Sequence, residues 1–495
     1  MNVNDLPKLT RGELARGAIW TYGAMAASTV AQLIYTAIAA RSFTPSDFGA
    51  YAIAISIAQV ATYFVGSGVS QAILQSPDPD QTVSGLAVRQ VLVSGTAIGL
   101  LLMILAINIE TIWDIDGLNE MMLIAAGIPF LAGISSISMS ILRRGGQFKA
   151  ASLRETLGLV ASFAMTIALI SAGAQAYILV VGSLAFPAFV AILGWWALRR
   201  VPIPRGAVTS RMFLRVSYQI GMQNLVHYTI LTLPLWLLGR IAPASEVGLF
   251  SRAQNVSTIP MNGLSQAFTK VVYPKLAEIG RHGRKLSDPI TSVIGIASLM
   301  GSACFGITAG SAQPIISILL GPQWSAAGGL LTLWTTFCTI NLCYIAASSA
   351  LESQGLFGQI WRVQLVGGAS LVVALTVAVL QFPTAAGVLA CATVALGVSQ
   401  ADQLRRLKNA LMVNIRHTIN SYLQGTATYL VAWGSGTVVA NTMSELNPFI
   451  VLPVTVAVSL AAVIGISGVF RRTEASRIAV GVLREIKRSR KVASV

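Results

Sequence analysis

Long apolar runs alternate with short polar breaks along nearly the whole chain, and about fourteen of them reach the roughly 20 residues that a membrane-crossing helix needs. They fall near 14–40, 47–75, 82–109, 120–142, 150–173, 175–198, 213–239, 246–273, 289–319, 326–351, 358–381, 384–404, 418–440 and 448–470. Outer-membrane barrels are excluded, because their strands alternate over only about ten residues. The pattern predicts an all-α integral membrane protein.

Polar positions within the runs carry a second signal. "ARSFTPSDFGAY", ending at Tyr51, is echoed by "GRIAPASEVGLF", ending at Phe250. An offset of 199 carries Arg41 to Arg240, Asp47 to Glu246, Gly49 to Gly248 and Tyr51 to Phe250, and an offset of 209 carries "SILRRGGQF" onto "SALESQGLF". Run one thus matches run seven, and run four matches run ten. Two six-helix lobes are expected, 1–208 and 209–410, in the same orientation because six is even. Parallel repeats of this kind pack about a pseudo-twofold axis along the membrane normal, with substrate at their interface. Runs thirteen and fourteen (411–470) have no partner copy, and 471–495 forms a basic tail.

Composition agrees: 54% of the 495 residues are apolar, 11% are charged and the mean hydropathy is +0.71, too oily for a chain folded in water. Bases gather in alternate loops, around Lys8 to Arg16, Arg143 to Lys149, Arg199 to Arg211, Lys275 to Lys285 and Arg405 to Arg416, while the opposite side carries Glu110, Asp114, Asp116, Glu120 and Glu445. The positive-inside rule therefore predicts that both termini are cytoplasmic, in keeping with an even number of spans. The net charge of +16 reflects topology, and no nucleic-acid partner is expected, since the bases are not interleaved with aromatics. The tail segment "SRIAVGVLREIKRSRK" is expected either to lie on the anionic inner leaflet or to be a solvated charged tail. The N-terminal segment lacks a cleavable-signal pattern, so the first span is expected to stay in place. Cys304, Cys338, Cys343 and Cys391 sit in apolar runs as small hydrophobes, and neither a metal site nor a cofactor is expected.

The repeated tract turns the chain at the outer surface. Arg41, Asp47, Arg240 and Glu246 are expected to snorkel and pair there, with glycine letting the next helix start against its neighbour; a gate whose ion pairs break during transport is the second reading.

"RGAIWTYGAMAASTVAQLIYTAIAARSFTPSDFGAYAIAISIAQ", "LWLLGRIAPASEVGLFSRAQNVSTIPMNGLSQAFTKVVYPKLAEI" and "LLGPQWSAAGGLL" resemble polysaccharide transporters of the multidrug/oligosaccharidyl-lipid/polysaccharide flippase superfamily, especially colanic-acid-type Wzx proteins. The resemblance covers nearly the whole chain. It implies fourteen helices in two lobes and alternating access in the bacterial cytoplasmic membrane. The implied cargo is an undecaprenyl-diphosphate-linked glycan, moved from the inner to the outer leaflet. Membrane lipids, a polysaccharide polymerase and glycosyltransferases are the implied partners.

Run eight places Arg252, Asn255, Asn262, Gln266 and Lys270 on one arc at 100° per residue. Run two carries Ser56, Gln59, Tyr63, Ser67 and Gln71, and the 199 offset pairs four of these with members of the first stripe. An arginine at mid-helix costs about 2.5–3.5 kcal/mol against lipid, so the stripe is expected to line water or protein. Polar packing between helices is the plain alternative. A diphosphate needs cations, for which Arg252, Lys270, Arg89 and Arg362 are the candidates. Sugars need amides, hydroxyls and rings, for which Asn255, Asn262, Gln266, Gln59, Tyr63, Gln32, Tyr35, Asn224, His227, Tyr228, Asn341 and Tyr344 are the candidates. Prolines at 129, 187, 234, 260, 314 and 453 are expected to bend helices.

A cation-coupled multidrug exporter shares the architecture, but it would be expected to keep carboxylates inside its lobes. Here the acids cluster at helix ends and loops, with Glu352 the exception that could face an inner vestibule. A membrane glycan polymerase or ligase would need an acid/base constellation, and the run "SPDPDQ" reads as turn chemistry. The expected activity is transport without catalysis.

Overall fold

The computed structural model describes residues 11–75, 83–198, 211–268, 272–281 and 286–469, and all regular structure among them is helical. The chain divides into two compact units, Met1–Gly248 and Leu249–Val495. Unit 1 contains α1 (Arg11–Ser42), α2 (Pro45–Thr62), a π-helical turn (Tyr63–Ser67), α3 (Gly68–Gln75), α4 (Val83–Trp113) and α5 (Leu118–Ala125). It continues through α6 (Ile128–Arg144), α7 (Phe148–Ser171), α8 (Ile178–Leu198), α9 (Arg211–Ile241) and the start of α10 (Ala244–Ala267). Unit 2 holds the rest of α10, then α11 (Tyr273–Arg281), α12 (Ser287–Gly310), α13 (Ala312–Leu319) and α14 (Ala327–Ser353). It ends with α15 (Phe357–Gln381), α16 (Ala385–Leu411), α17 (Ile415–Thr442) and α18 (Pro448–Val469).

Each apolar run falls on one helix or on helices in line. Ten spans are long and apolar enough to cross a membrane over their described residues. The runs on α1, α9, α10 and α17 are helical and fall outside those ten. Pro187, Pro234, Pro260 and Pro453 lie inside helices as expected, whereas Pro129 stands in the first turn of α6, where its missing N–H costs nothing.

The repeated tract is built around two helix starts. The Asp47 carboxylate accepts from the Thr44 N–H at 2.8 Å and the Thr44 hydroxyl at 2.7 Å, while the Asp47 N–H donates back to Thr44 Oγ1 at 3.3 Å. This is a capping box, with Pro45 in the first turn. The second copy has Pro243 in place of Thr44, so the Glu246 N–H donates instead to the Pro243 carbonyl at 3.0 Å, while Val247 donates to that carbonyl at 3.3 Å as Phe48 does to the Thr44 carbonyl at 3.2 Å. Thr44→Ala is expected to cost about 1 kcal/mol of stability, seen as a lower melting temperature of the purified protein with transport retained.

The two glycines of the tract meet backbone. A Cβ on Gly49 would run into the Ala244 carbonyl, and a Cβ on Gly248 would run into the Pro45 carbonyl. Positions 45 and 49 map onto 244 and 248 at the 199 offset, so the repeat exchanges the two contacts. Close approach of two helix starts is therefore why both copies carry glycine.

α9 packs within unit 1, so the division by packing at Gly248 falls later than the repeat boundary expected at 208. Trp236 Nε1 donates to Ser56 Oγ at 2.8 Å, Trp113 Nε1 donates to the Trp236 carbonyl at 3.0 Å and Gln90 Nε2 donates to Ser217 Oγ at 2.8 Å.

In unit 2, α12 offers Ser298, Ser302, Gly306 and Gly310 at four-residue spacing, one face of the helix. A Cβ on Gly306 would lie 2.9 Å from the Tyr429 carbonyl oxygen, and one on Gly310 would lie 2.9 Å from Gly436 Cα and 3.0 Å from the Ala432 carbonyl oxygen. Ser298 Oγ donates to the Ser421 carbonyl at 3.2 Å, and Tyr429 reaches α14, its hydroxyl 2.8 Å from Thr335 Oγ1. Ser459 Oγ donates to the Ala432 carbonyl at 3.0 Å, fixing α18 on α17. The run without a partner copy is thus built into the core of unit 2.

α4 shows what the same face looks like without α17. Gly95 faces Phe130 on α6 and Gly301 faces Leu342 on α14, and the two glycines lie 206 residues apart (301 minus 95). At that offset the four small residues of α12 fall on Leu92, Thr96, Leu100 and Ile104. Leu100 and Ile104 are 55% and 63% exposed. The residues are small where a helix covers the face, and three of the four are large and apolar on the uncovered face of α4, where lipid is the solvent.

Candidate functional site

The polar stripe on α10 begins inside unit 2. Arg252 stands two turns from the helix start and is only 6% exposed. Asn255 and Gln266 are half-buried, and Asn262 is exposed. Among the described members of the stripe, Arg252 is the most enclosed. Lys270 lies outside the described residues, as do the basic tail and residues 199–210 and 282–285 of the basic loops. Arg89 on α4 and Arg362 on α15 are both exposed, within the first two turns of their helices. A guanidinium enclosed in a low-dielectric helix bundle keeps its charge and demands anionic or polar company.

The stripe of run two is rearranged by the π-helical turn. Ser56 is buried, accepting from Trp236 and donating to the Ile53 carbonyl at 2.8 Å, so it serves helix packing. Gln59 is exposed. From Tyr63 to Ser67 the helix takes one extra residue per turn, so an arc of 100° per residue does not carry through to Gln71. The expectation of one continuous stripe is corrected on this point: Ser56, Gln59 and Tyr63 belong to α2 and its π turn, while Gln71 belongs to a helix in a new phase.

The π turn delivers Tyr63 onto α9. Its ring stacks on Tyr228 with centroids 3.3 Å apart and planes 3° from parallel, and His227 meets the Tyr228 ring edge-on at 5.4 Å. Asn224, half-buried, lies one turn before Tyr228. The structure thus brings Tyr63 to Asn224, His227 and Tyr228, more than 160 residues later in the sequence and within two turns of α9. Tyr228→Ala is expected to lower the melting temperature, since an aromatic pair contributes about 0.5–1.5 kcal/mol beyond its buried area. Tyr63→Phe, which keeps the ring and loses the hydrogen bond to Tyr228, should lower it less.

Other candidates separate from this group. Gln32 lies on the α1 face that carries Ser28 and Tyr35, which meet Thr156 at 3.3 Å and stack on Phe163 at 4.3 Å, so it borders the seam with α7. Asn341 and Tyr344 lie on α14 in unit 2, with the Tyr344 hydroxyl held by Ser348 and Ser399. In the outer tract Arg41 and Arg240 are exposed, Glu246 is half-buried and the Asp47 carboxylate serves the α2 cap. The π turn and the Tyr63–Tyr228 pair escaped the sequence reading, since a π turn has no periodicity of its own to detect. Among the described residues no cluster of three His, Cys, Asp or Glu side chains is placed to hold a metal ion.

Residues 38–328 match the family model described as polysaccharide biosynthesis protein. The succinoglycan biosynthesis transport protein ExoT of Rhizobium meliloti (strain 1021) is 24% identical over 347 residues, and the match spans 66% of this chain and 66% of that relative. Among solved structures, the lipid II flippase MurJ in an inward closed conformation superposes with a TM-score of 0.72 at 13% identity, covering 92% of this chain and 99% of the other. An inward-facing multidrug resistance MATE family transporter of the MOP superfamily gives 0.57 at 14% identity, covering 81% and 94%.

Proposed function

The chain belongs to the polysaccharide biosynthesis protein family, and from that premise we propose that it is a multi-pass flippase of the multidrug/oligosaccharidyl-lipid/polysaccharide superfamily whose cargo is a glycan linked to undecaprenyl diphosphate. Transfer runs from the inner to the outer leaflet of the bacterial cytoplasmic membrane, with both termini on the cytoplasmic side. The diphosphate and its sugars occupy a polar path lined by the α10 stripe while the polyprenyl chain stays in lipid. Two lobes, 1–208 and 209–410, alternate access to that path.

The observation that carries this reading is Arg252, a cation 6% exposed within a helix of a membrane protein. Phosphate oxygens suit its planar fork of donors, and charge-assisted bonds are the strong ones in a site away from bulk water. Arg362 is a further cation of unit 2 offered to the headgroup, and within unit 1 Tyr63, Asn224, His227 and Tyr228 offer rings and hydrogen-bonding groups to sugars. The likeness to a lipid II flippase and to a succinoglycan transport protein supports a lipid-linked cargo. The superfamily also includes multidrug transporters. A buried arginine on the stripe favours an anionic cargo over an organic cation.

The test is made in cells. Removing the chain should leave the lipid-linked repeat unit inaccessible to an impermeant reagent at the outer leaflet and stop polymer formation, and restoring it should reverse both. Normal surface labelling in its absence, with no substitute transporter acting, would refute the reading.

A further inference from the structure

The 209 offset that relates the turn between α6 and α7 to the turn between α14 and α15 continues into the helices that follow. A Cβ on Gly158 of α7 would lie 2.6 Å from Val190 Cγ2 of α8, and one on Gly367 of α15 would lie 2.8 Å from Ser399 Oγ of α16. Both glycines and both partners are 209 residues apart (367 minus 158, 399 minus 190). α7 therefore packs on α8 as α15 packs on α16, and the two seams match position by position.

Each seam holds one guanidinium, bonded at the same two positions. In unit 1, Arg154 donates from Nε to the Leu193 carbonyl at 3.2 Å and from Nη1 to the Ala150 carbonyl at 2.7 Å. In unit 2, Arg406 donates from Nε to the Asp402 carboxylate at 2.7 Å and from Nη1 to Gln359 Oε1 at 3.0 Å. Leu193 and Asp402 are 209 residues apart, as are Ala150 and Gln359. The difference is charge. Arg406 closes on a carboxylate of its own helix, whereas Arg154 meets backbone carbonyls, which accept its N–H groups and leave its charge uncompensated. Its neighbour Glu155 is taken by Arg143, whose Nη2 reaches both carboxylate oxygens at 2.6 and 2.8 Å. Arg154 forms no ion pair among the described residues.

A half-buried guanidinium in a membrane helix keeps its charge and needs an anion. Leu157, one turn beyond Arg154, is 48% exposed, and Trp196, one turn beyond Leu193, is 56% exposed, so the seam opens onto lipid. α7 begins and α8 ends on the face that the distribution of bases assigns to the cytoplasm. Basic pockets between helices on that side suit anionic lipid headgroups. We propose that the α7–α8 seam of unit 1 binds one anionic phospholipid, its phosphate on Arg154 and its acyl chains against Leu157 and Trp196. The lipid supplies the counter-charge that Asp402 supplies in unit 2. The site lies in unit 1 alone and is independent of the nature of the cargo.

The full chain, purified in detergent, is melted with increasing dioleoylphosphatidylglycerol or with dioleoylphosphatidylcholine, which has the same chains and no net charge. Phosphatidylglycerol should raise the melting temperature saturably, and neither phosphatidylcholine nor inorganic phosphate should do so. Arg154→Gln should raise the half-saturating phosphatidylglycerol concentration at least tenfold. Leu193→Asp, which supplies the carboxylate that unit 2 carries, should melt higher than the parent without lipid and lose the phosphatidylglycerol response; it is read in place of Arg154→Gln if that protein fails to accumulate. Arg416→Gln, which removes an exposed cation from unit 2, should keep the parent's response. Equal melting in the two lipids, an equal rise with inorganic phosphate, an undiminished response in Arg154→Gln or Leu193→Asp, or an equal loss in Arg416→Gln would overturn the proposal whatever the cargo proves to be.

Discussion

Arg252→Ala is expected to reduce translocation of a polyprenyl-diphosphate glycan by about 10- to 100-fold, because a hydrogen bond to a charged group contributes about 1.5–3 kcal/mol and each 1.4 kcal/mol is a factor of ten. The residue is enclosed, so its stem also packs and the rate must be expressed per folded molecule. Arg252→Gln keeps much of the stem and several donors but loses the charge; it should fold like the parent and transport slowly. Arg252→Lys keeps the charge without the fork and should fall between the two. Arg89→Ala and Arg362→Ala, at exposed positions, should slow transport only a few-fold. A well-folded Arg252→Ala protein with the parent's rate would remove the cation from the mechanism.

The second large effect is structural. Gly310→Leu should prevent accumulation of folded protein. A Cβ there already lies 2.9 Å from Gly436 Cα and 3.0 Å from the Ala432 and Trp433 carbonyl oxygens. All three are backbone atoms, so only separation of α12 from α17 relieves the clash. Helices in lipid associate through close packing and hydrogen bonds, without a hydrophobic force to restore them. Overpacking costs typically about 1–3 kcal/mol where side chains can yield, and here none can. The control lies in the repeat: Ile104, at the equivalent position on α4, is 63% exposed. Ile104→Leu should accumulate normally, as measured by monodisperse elution in detergent. Equal accumulation of Gly310→Leu and Ile104→Leu would contradict the tight seam.

Much of this fold was legible because the membrane enforces it. Every apolar run had to be helical, since lipid offers its backbone no partner, and each run lies on helix. The Gly49 and Gly248 match was legible as a repeat, although only coordinates reveal the reciprocal carbonyl contacts that require it. Asp47 was read as an interfacial charge and found in a helix cap, because an acid three residues after a threonine fits both uses. Ser56 was read as part of a polar lining and found under Trp236, a pairing 180 residues apart that no local pattern announces. The π turn at Tyr63–Ser67 shifted the phase that the stripe argument had assumed constant. The run on α17 had no partner copy to place it, yet the small residues on α12 that receive it were present in the sequence, visible only once Gly301 was aligned with Gly95.

The central claim is that an enclosed cation on α10 escorts an anionic, lipid-linked headgroup across the bilayer. It is tested most directly in proteoliposomes holding a fluorescent undecaprenyl-diphosphate oligosaccharide, by measuring how fast the inner-leaflet pool becomes accessible to an impermeant quencher outside. The account predicts rapid exposure with the parent protein, inhibition by excess unlabelled lipid diphosphate and slow exposure with Arg252→Gln. Exposure no faster than in protein-free liposomes, from protein that actively carries an organic cation, would contradict it.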